Sequence, residues 1–151
     1  MFKKSIPVLY KKNCAVIQDF DGDKIVVNFQ VSPATPTGKK AQYATQKVRE
    51  KDIISLCGEP CSNLENLLAF SDDKISAQIK EAYELLTSDD PTAASEIDFS
   101  ELTEILRGSC IPDESWFVFN SLVSSVEFAL SEESLKNGKI LFLPRTREQI
   151  D

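Results

Sequence analysis

Basic side chains in the first 57 residues have the clearest chemical use in this sequence. Residues 1–57 carry ten Lys and Arg against five Asp and Glu, and residues 58–151 carry seven against 19, which gives net charges of +5 and −12. Amines that bind phosphates, with aromatic rings between them that stack on bases, are typical of single-strand binders. The pattern predicts a site for single-stranded RNA made of Lys3, Lys4, Lys11, Lys12, Lys39, Lys40, Lys47, Arg49 and Lys51.

A different interpretation of the same residues stays open. The rings that lie among the lysines are Tyr10, Phe20, Phe29 and Tyr43. In this second interpretation, Tyr10, Phe20 and Phe29 belong to the core of a small β-structure, and the lysines are solvated residues that protect the edges of its sheet.

Catalytic chemistry has little support in the sequence. The chain has no histidine, which excludes the Ser-His-Asp triad, Cys-His thiol catalysis and zinc sites built from histidine. No pair of carboxylates or lysines has a convincing spacing for the acid and base of a hydrolase. The sequence therefore predicts no catalytic residue in this chain.

Metal binding is also not predicted. Cys57 and Cys61 form a C-x3-C pair, and Cys14 and Cys110 lie far from it in sequence, so the spacing is poor for zinc. All four are expected to be reduced thiols in a cytosol. The alternating Asp19, Asp21 and Asp23 resemble part of a calcium loop, but such a loop needs Gly and Glu where this chain has Lys24 and Gln30.

The elements that position the basic residues read as short strands. Strands are predicted at 8–10, 14–17, 25–29, 41–45 and 53–56, with a hairpin turn at Asp21-Gly22, a loop at 32–40 and a turn at 48–52. Five short strands with one tight hairpin suit a small SH3-like β-barrel over residues 1–57. Residues 1–57 are called the first unit below.

Helical periodicity begins after Gly58-Glu59-Pro60. Helices are predicted at 63–70, 72–87, 98–107 and 112–124, and two strands at 126–130 and 139–143 around a loop that ends at Asn137-Gly138. Helices followed by a two-stranded hairpin predict a winged-helix domain over residues 61–151, called the second unit below. The fold class is thus α+β, and the linker is short enough that the two units should pack together.

The second unit has few groups that would bind nucleic acid. The helix that enters a groove in winged-helix proteins corresponds to 112–124, which carries Asp113 and Glu114 and no Lys or Arg. Trp116 and Phe117 suggest an alternative function, in which exposed rings and an acidic surface bind a basic protein partner. An exposed Trp116 would favour that alternative, whereas a buried Trp116 would indicate a residue of the hydrophobic core.

Three segments together resemble a known family. They are the run Val48-Arg49-Glu50-Lys51-Asp52-Ile53, the helical run Ala82-Tyr83-Glu84-Leu85-Leu86, and the wing end Phe142-Leu143-Pro144-Arg145. With the basic β segment before them, they resemble the N-terminal region of a cyanobacterial-type RNase II/RNase R (RNB) exoribonuclease.

The resemblance implies a role in RNA handling and not in catalysis. In that family this region precedes a catalytic domain that removes nucleotides from RNA 3′ ends with Mg²⁺. The family's run of closely spaced aspartates is missing here, so the chain would be an N-terminal piece without a cofactor of its own. Its expected partners are single-stranded RNA and the catalytic domain of the same parent, in the cytoplasm and away from membranes.

Overall fold

The first unit forms one antiparallel sheet. The computed structural model describes residues 3–11, 13–32, 36–38, 40, 42–87 and 96–145. The strands of the first unit are β1 (Pro7–Tyr10), β2 (Asn13–Asp21), β3 (Lys24–Ser32), β4 (Gln42–Arg49) and β5 (Ile53–Ser55). The strand order is β4-β3-β2-β1-β5. Over the described residues β4 and β5 are the two edges of the sheet, so the closed barrel that the sequence predicts is not found.

Local turn chemistry explains the β2–β3 hairpin. Asp21 pairs with Lys24, which leaves a two-residue loop in which Gly22 has a φ of +63°. A glycine adopts this backbone conformation without the steric cost that a side chain would add. The hairpin predicted from Asp21-Gly22 is therefore confirmed.

The predicted turn at 48–52 is shorter than expected. Val48 and Arg49 continue strand β4, and only Glu50–Asp52 form a turn of 3-10 helix before β5. Val48 pairs with Ile25 and is buried in the core of the sheet. Burial of this β-branched side chain extends the strand beyond the point where the charged run suggested a turn.

The second unit combines five helices and three strands among its described residues. The helices are α1 (Leu64–Ala69), α2 (Ile75–Thr87), α3 (Phe99–Arg107), α4 (Ser115–Ser124) and α5 (Glu132–Lys136), and the strands are β6 (Ile97–Asp98), β7 (Phe128–Leu130) and β8 (Leu141–Pro144). The three strands form an antiparallel sheet in the order β6-β8-β7. Together with the first sheet, this confirms the mixed α+β class.

Two elements of this unit were not predicted. Strand β6 pairs with β8, and helix α5 occupies part of the segment between β7 and β8 that the sequence assigned to a loop. The helix predicted at 112–124 begins with a 3-10 turn at Pro112–Glu114 before α4 starts. Among the described residues, no helix has the length and apolar character needed to cross a membrane.

The core of the second unit includes side chains from the first unit. Val8 and Tyr10 of β1 pack in the core of the first sheet. Leu9, between them, packs with the helices and strands of the second unit. Leu56, which follows β5, joins the same cluster. Alternation along a strand sends successive side chains to opposite faces, so β1 contributes to both cores. The expected packing of the two units against each other is confirmed.

Arg107 connects three segments of the second unit. Its guanidinium donates to Asp72 at 2.7 Å, to Gln78 at 2.9 Å and to Glu114 at 3.0 Å, and its side chain is only 12% exposed. It also lies 5.9 Å from the ring centre of Phe70. The planar fork of arginine can satisfy several acceptors at once, which the ammonium of lysine cannot do in the same geometry.

Replacing Arg107 with methionine is expected to lower the melting temperature by several degrees at pH 7. The carboxylates of Asp72 and Glu114 would then lose their cation. The Arg107→Lys variant should lower the melting temperature less, because lysine keeps the positive charge. It should still lower it somewhat, because lysine lacks the planar guanidinium. Differential scanning calorimetry would measure both, with Lys80→Met as a control that removes an exposed charge from α2.

The Arg107→Met substitution should reduce stability less in acid than at neutral pH. The backbone N–H of Lys74, and then Arg107, hold the pKa of Asp72 below its ordinary 3.8. A carboxyl whose pKa is lowered by folding stabilises the fold above its unfolded pKa, and this contribution is lost as pH falls through the lowered value. The difference between wild type and Arg107→Met should therefore narrow from pH 7 toward pH 3. A difference that stays constant would show that packing, and not charge, causes the loss.

Candidate nucleic-acid interface

The structure separates the nine predicted basic residues into groups. Lys12 and Lys39 lie outside the described residues. Three others form exposed ion pairs within the first unit, namely Lys4 with Asp19 at 3.2 Å, Lys47 with Asp21 at 2.6 Å and Arg49 with Asp52 at 3.4 Å. Lys3, Lys11, Lys40 and Lys51 make no ion pair with any residue that the structure describes.

Two residues of these ion pairs, Asp19 and Lys47, have shifted pKa values. The backbone N–H of Phe20, with Lys4 as the next cause, lowers the pKa of Asp19, and the hydrogen bond with Asp21 raises the pKa of Lys47. Both shifts mean that the charged forms are favoured. Lys4 and Lys47 therefore carry charges that are already balanced, which makes them weaker candidates for phosphate binding than unpaired lysines.

The aromatic residues divide between core and surface. Tyr10 is buried, and its ring centre lies 6.3 Å from that of Phe29, which packs against the core of the first sheet. Phe20 and Tyr43 are each 40% exposed. The interpretation of the rings as core residues thus holds for Tyr10 and Phe29, whereas Phe20 and Tyr43 present part of their rings to solvent.

One face of edge strand β4 carries an exposed row of side chains. Tyr43, Thr45, Lys47 and Arg49 alternate along the strand and are all exposed. Arg49 lies opposite Lys24 of β3. Residues two apart on a strand are about 7 Å apart, so this row presents a ring and two cations at regular intervals, and both cations are paired with carboxylates.

A groove at the contact between the two units brings three lysines together. We call it the boundary groove; it has a volume of about 330 Å³ and is lined by Leu9, Lys11, Lys51, Asp52, Ile54, Glu132, Leu135 and Lys136. Leucine and isoleucine side chains supply its apolar surface. Its lysines come from three places in the chain: the turn after β1, the 3-10 turn after β4, and the end of α5.

The acidic residues of the groove reduce its positive charge only in part. Asp52 accepts hydrogen bonds from the backbone N–H of Arg49 at 2.9 Å and from its side chain at 3.4 Å. The first of these bonds is the main reason that the pKa of Asp52 is lowered. Lys11 lies with its ammonium 5.3 Å from the ring centre of Tyr10, a distance at which a cation and a ring attract each other. The groove thus combines amines with apolar surface.

Lys136 is a groove residue that the sequence interpretation missed. It lies in the last turn of the five-residue helix α5, in a unit whose net charge is strongly negative. The local signals of this helix were present: Ser131 accepts from the backbone N–H of Ser134 at 3.3 Å, and Glu132 and Glu133 lie in the first turn. A helix of this length is too short to show periodicity, so the signals were not sufficient.

This arrangement suits binding of an anion with an apolar part. The amines of the groove can pair with negative charges, and its leucine and isoleucine side chains offer apolar contact. Over the described residues, no group of three or more His, Cys, Asp or Glu side chains is placed to hold a metal ion. The chemistry that these lining residues offer is recognition by charge and by apolar contact.

Trp116 does not form the exposed anchor that a protein-binding surface would need. It is partly buried, packs against two of the core clusters, and stacks on Phe119 with ring centres 5.8 Å apart. Phe117 meets Phe70 edge to face at 5.5 Å. Both rings thus contribute to packing of α4 within the second unit.

Comparison of the chain with protein-family models, with curated proteins and with solved structures finds no match in any of the three.

Proposed function

We propose that this chain is a non-catalytic RNA-handling segment that binds single-stranded RNA at the boundary groove. The observation that carries the proposal is the convergence of Lys11, Lys51 and Lys136 around apolar side chains in a groove of about 330 Å³. Amines at the rim can bind successive phosphates while a base lies against the apolar surface. The half-exposed ring of Tyr43 on β4 would offer a further surface on which a base can stack.

The architecture supports two finer proposals about the fold. The sheet order β4-β3-β2-β1-β5, with a 3-10 turn before β5, suits an SH3-like relationship for the first unit. In the second unit, α2, β6, α3 and α4 are followed by β7 and β8, and the last strand is central. This order suits a winged-helix relationship, with α5 in the wing.

The parent of such a segment would be an exoribonuclease of the RNase II/RNase R type. This part of the proposal rests on the sequence resemblance alone. Hydrolysis from the RNA 3′ end and the Mg²⁺ that it needs would belong to a catalytic domain outside this sequence, in the cytoplasm. The segment would deliver RNA to that domain, its second partner. The alternative, a module that binds a basic protein through Trp116, has no specific observation in its favour.

The proposal predicts weak, salt-dependent and sequence-tolerant binding of single-stranded RNA. With about three phosphates neutralised, the logarithm of the binding constant should fall with the logarithm of salt concentration at a slope near −2, from about 0.7 per phosphate. Fluorescence anisotropy with the full chain and a labelled uridine oligonucleotide, at several salt concentrations, would measure the slope.

Two double variants distinguish RNA binding at the boundary groove from a general effect of positive charge on binding. Lys11→Ala with Lys51→Ala removes two groove amines, whereas Lys3→Ala with Lys40→Ala removes two exposed amines outside the groove. The groove variant should bind about 25-fold more weakly near 0.1 M salt, since each lost phosphate contact costs about fivefold at that concentration. The control should bind almost as wild type. Equal losses in the two variants, or no binding by wild type at low salt, would contradict the proposal.

A further inference from the structure

The four cysteines of the chain occupy two neighbouring sites with different surroundings. Cys14 and Cys61 are buried in one small core with Val16, Leu64 and Leu67. Cys57 and Cys110 lie where the segment after β5 meets the loop between α3 and α4. All four are free thiols, and Cys57 of the second site lines a cavity.

Cys57 and Cys110 contact each other across the boundary between the two units. The Cys57 thiol donates to the backbone carbonyl of Cys110 at 3.5 Å, and the Cys110 thiol lies 3.8 Å from the carbonyl of Leu56. Each thiol thus contacts a backbone carbonyl of the segment that carries the other cysteine. A disulfide needs its two Cβ atoms close and facing, and these contacts bring Cys57 and Cys110 together at one place on the boundary.

A second contact holds the same two segments in register. The Asp113 carboxylate accepts from the backbone N–H of Ser62 at 2.6 Å and from the Ser62 hydroxyl at 2.6 Å. Ser62 follows Cys57 along the segment after β5, and Asp113 follows Cys110 in the facing loop. The pairing of the thiols is thus part of a wider contact and not an isolated approach of two side chains.

Cys57 loses its proton more readily than the other three thiols. The Cys110 thiol is the main cause that lowers the pKa of Cys57 to about 6, and the backbone N–H groups of Glu59 and Gly58 add to it. The pKa of Cys110 is raised correspondingly. Burial raises the pKa of Cys14 strongly and that of Cys61 to about 11. At neutral pH, Cys57 is therefore the nucleophilic thiol of the four.

Solvent reaches this site through a cavity of about 240 Å³. Cys57 and Gly58 line it, together with Asp98, Ser100 and Lys139 of the second unit. A small oxidant fits in this volume. Cys14 and Cys61 are buried in the apolar cluster described above. The cavity gives the Cys57 sulfur the access that its burial would otherwise deny.

We propose that Cys57 and Cys110 are a redox pair that a hydroperoxide oxidises to a disulfide, which fastens the two units together. The Cys57 thiolate attacks the terminal oxygen of the hydroperoxide, the O–O bond breaks, and an alcohol (or water) leaves with a proton. The resulting sulfenic acid is attacked at sulfur by Cys110; the S–S bond forms, and the hydroxyl leaves as water with the proton of Cys110. Two thiols are oxidised by two electrons, and one peroxide is reduced.

The test is peptide mapping of the full chain after brief treatment with hydrogen peroxide at pH 7 and alkylation with N-ethylmaleimide. We expect two of the four thiols to escape alkylation, and the peptides that contain Cys57 and Cys110 to be joined. Wild-type protein alone gives this result, so it does not depend on the folding of a variant. A Cys57–Cys61 or Cys14–Cys61 bridge, or four alkylated thiols after treatment, would overturn the proposal.

Single substitutions test which of the two thiols reacts first with the peroxide. In Cys110→Ser, the Cys57 sulfenic acid should persist and react with dimedone, whereas Cys57→Ser should leave Cys110 unoxidised. Cys14→Ser is the matched control and should form the bridge as wild type does. Dimedone labelling of Cys110 in the Cys57→Ser variant would contradict the assignment of Cys57 as the attacking thiol.

Discussion

Replacing Phe142 with alanine is expected to lower the free energy of unfolding by about 3–5 kcal/mol, the usual range for removal of a fully buried phenylalanine. Phe142 is completely buried on β8, the central strand of the second sheet. Its ring centre lies 6.2 Å from that of Phe99 and 6.0 Å from that of Phe119. Its loss would leave a cavity between α3, α4 and the sheet, which these rigid elements cannot fill.

Urea denaturation followed by circular dichroism would measure this loss. Phe20→Ala is the matched control, because it removes the same ring from a position that is 40% exposed. The control should lose well under half as much stability, since substitutions at exposed positions usually have small effects. Similar losses for the two variants would mean that Phe142 does not occupy the core position assigned to it.

Replacing Leu9 with alanine is expected to cost about 2–5 kcal/mol, and its effect should extend to both units. Leu9 belongs to a strand of the first sheet, yet its side chain packs in the core of the second unit. Loss of this contact weakens one of the two apolar clusters that the units share among the described residues; the other contains Cys14 and Val16 of the first unit. Because each unit is small, neither buries enough surface alone to compensate.

Hydrogen exchange of the Leu9→Ala variant, read by mass spectrometry, would distinguish a shared core from two separate ones. Protection should fall together in β3 of the first unit and in α3 of the second. Val31→Ala, on a strand but 59% exposed, should leave protection in both elements unchanged. If protection fell in one unit only, the two cores would be energetically independent.

Local signals made much of the fold predictable. The hairpin at Gly22 needed only a two-residue turn between two apolar runs. Helix α3 begins after Asp98, whose side chain accepts from the backbone N–H of Ser100 at 2.8 Å, and ends at Gly108, whose φ is +84°. Each of these features is set by residues within a few positions of one another, so the sequence contains the whole cause.

The candidate site was less predictable, because distant segments build it. The sequence grouped nine basic residues by composition, but folding places Lys47 beside Asp21 and brings Lys11 near Lys51 and Lys136. Nothing in the sequence order indicates which lysine meets a carboxylate. The same holds for Cys57 and Cys110, because the Cys57 thiol donates to the carbonyl of a residue 53 positions away in the sequence.

Strand β8 also has a consequence for synthesis of the chain on the ribosome. Residues 141–144 form the middle of their sheet, and both strands that they join, β6 and β7, are made earlier. Until β8 emerges, those two strands have no neighbour to pair with, and the rings of Phe99 and Phe119 remain uncovered by Phe142. Domains gain their long-range contacts only when all of their parts are available, so nascent chains that stop before β8 would expose these rings to chaperones.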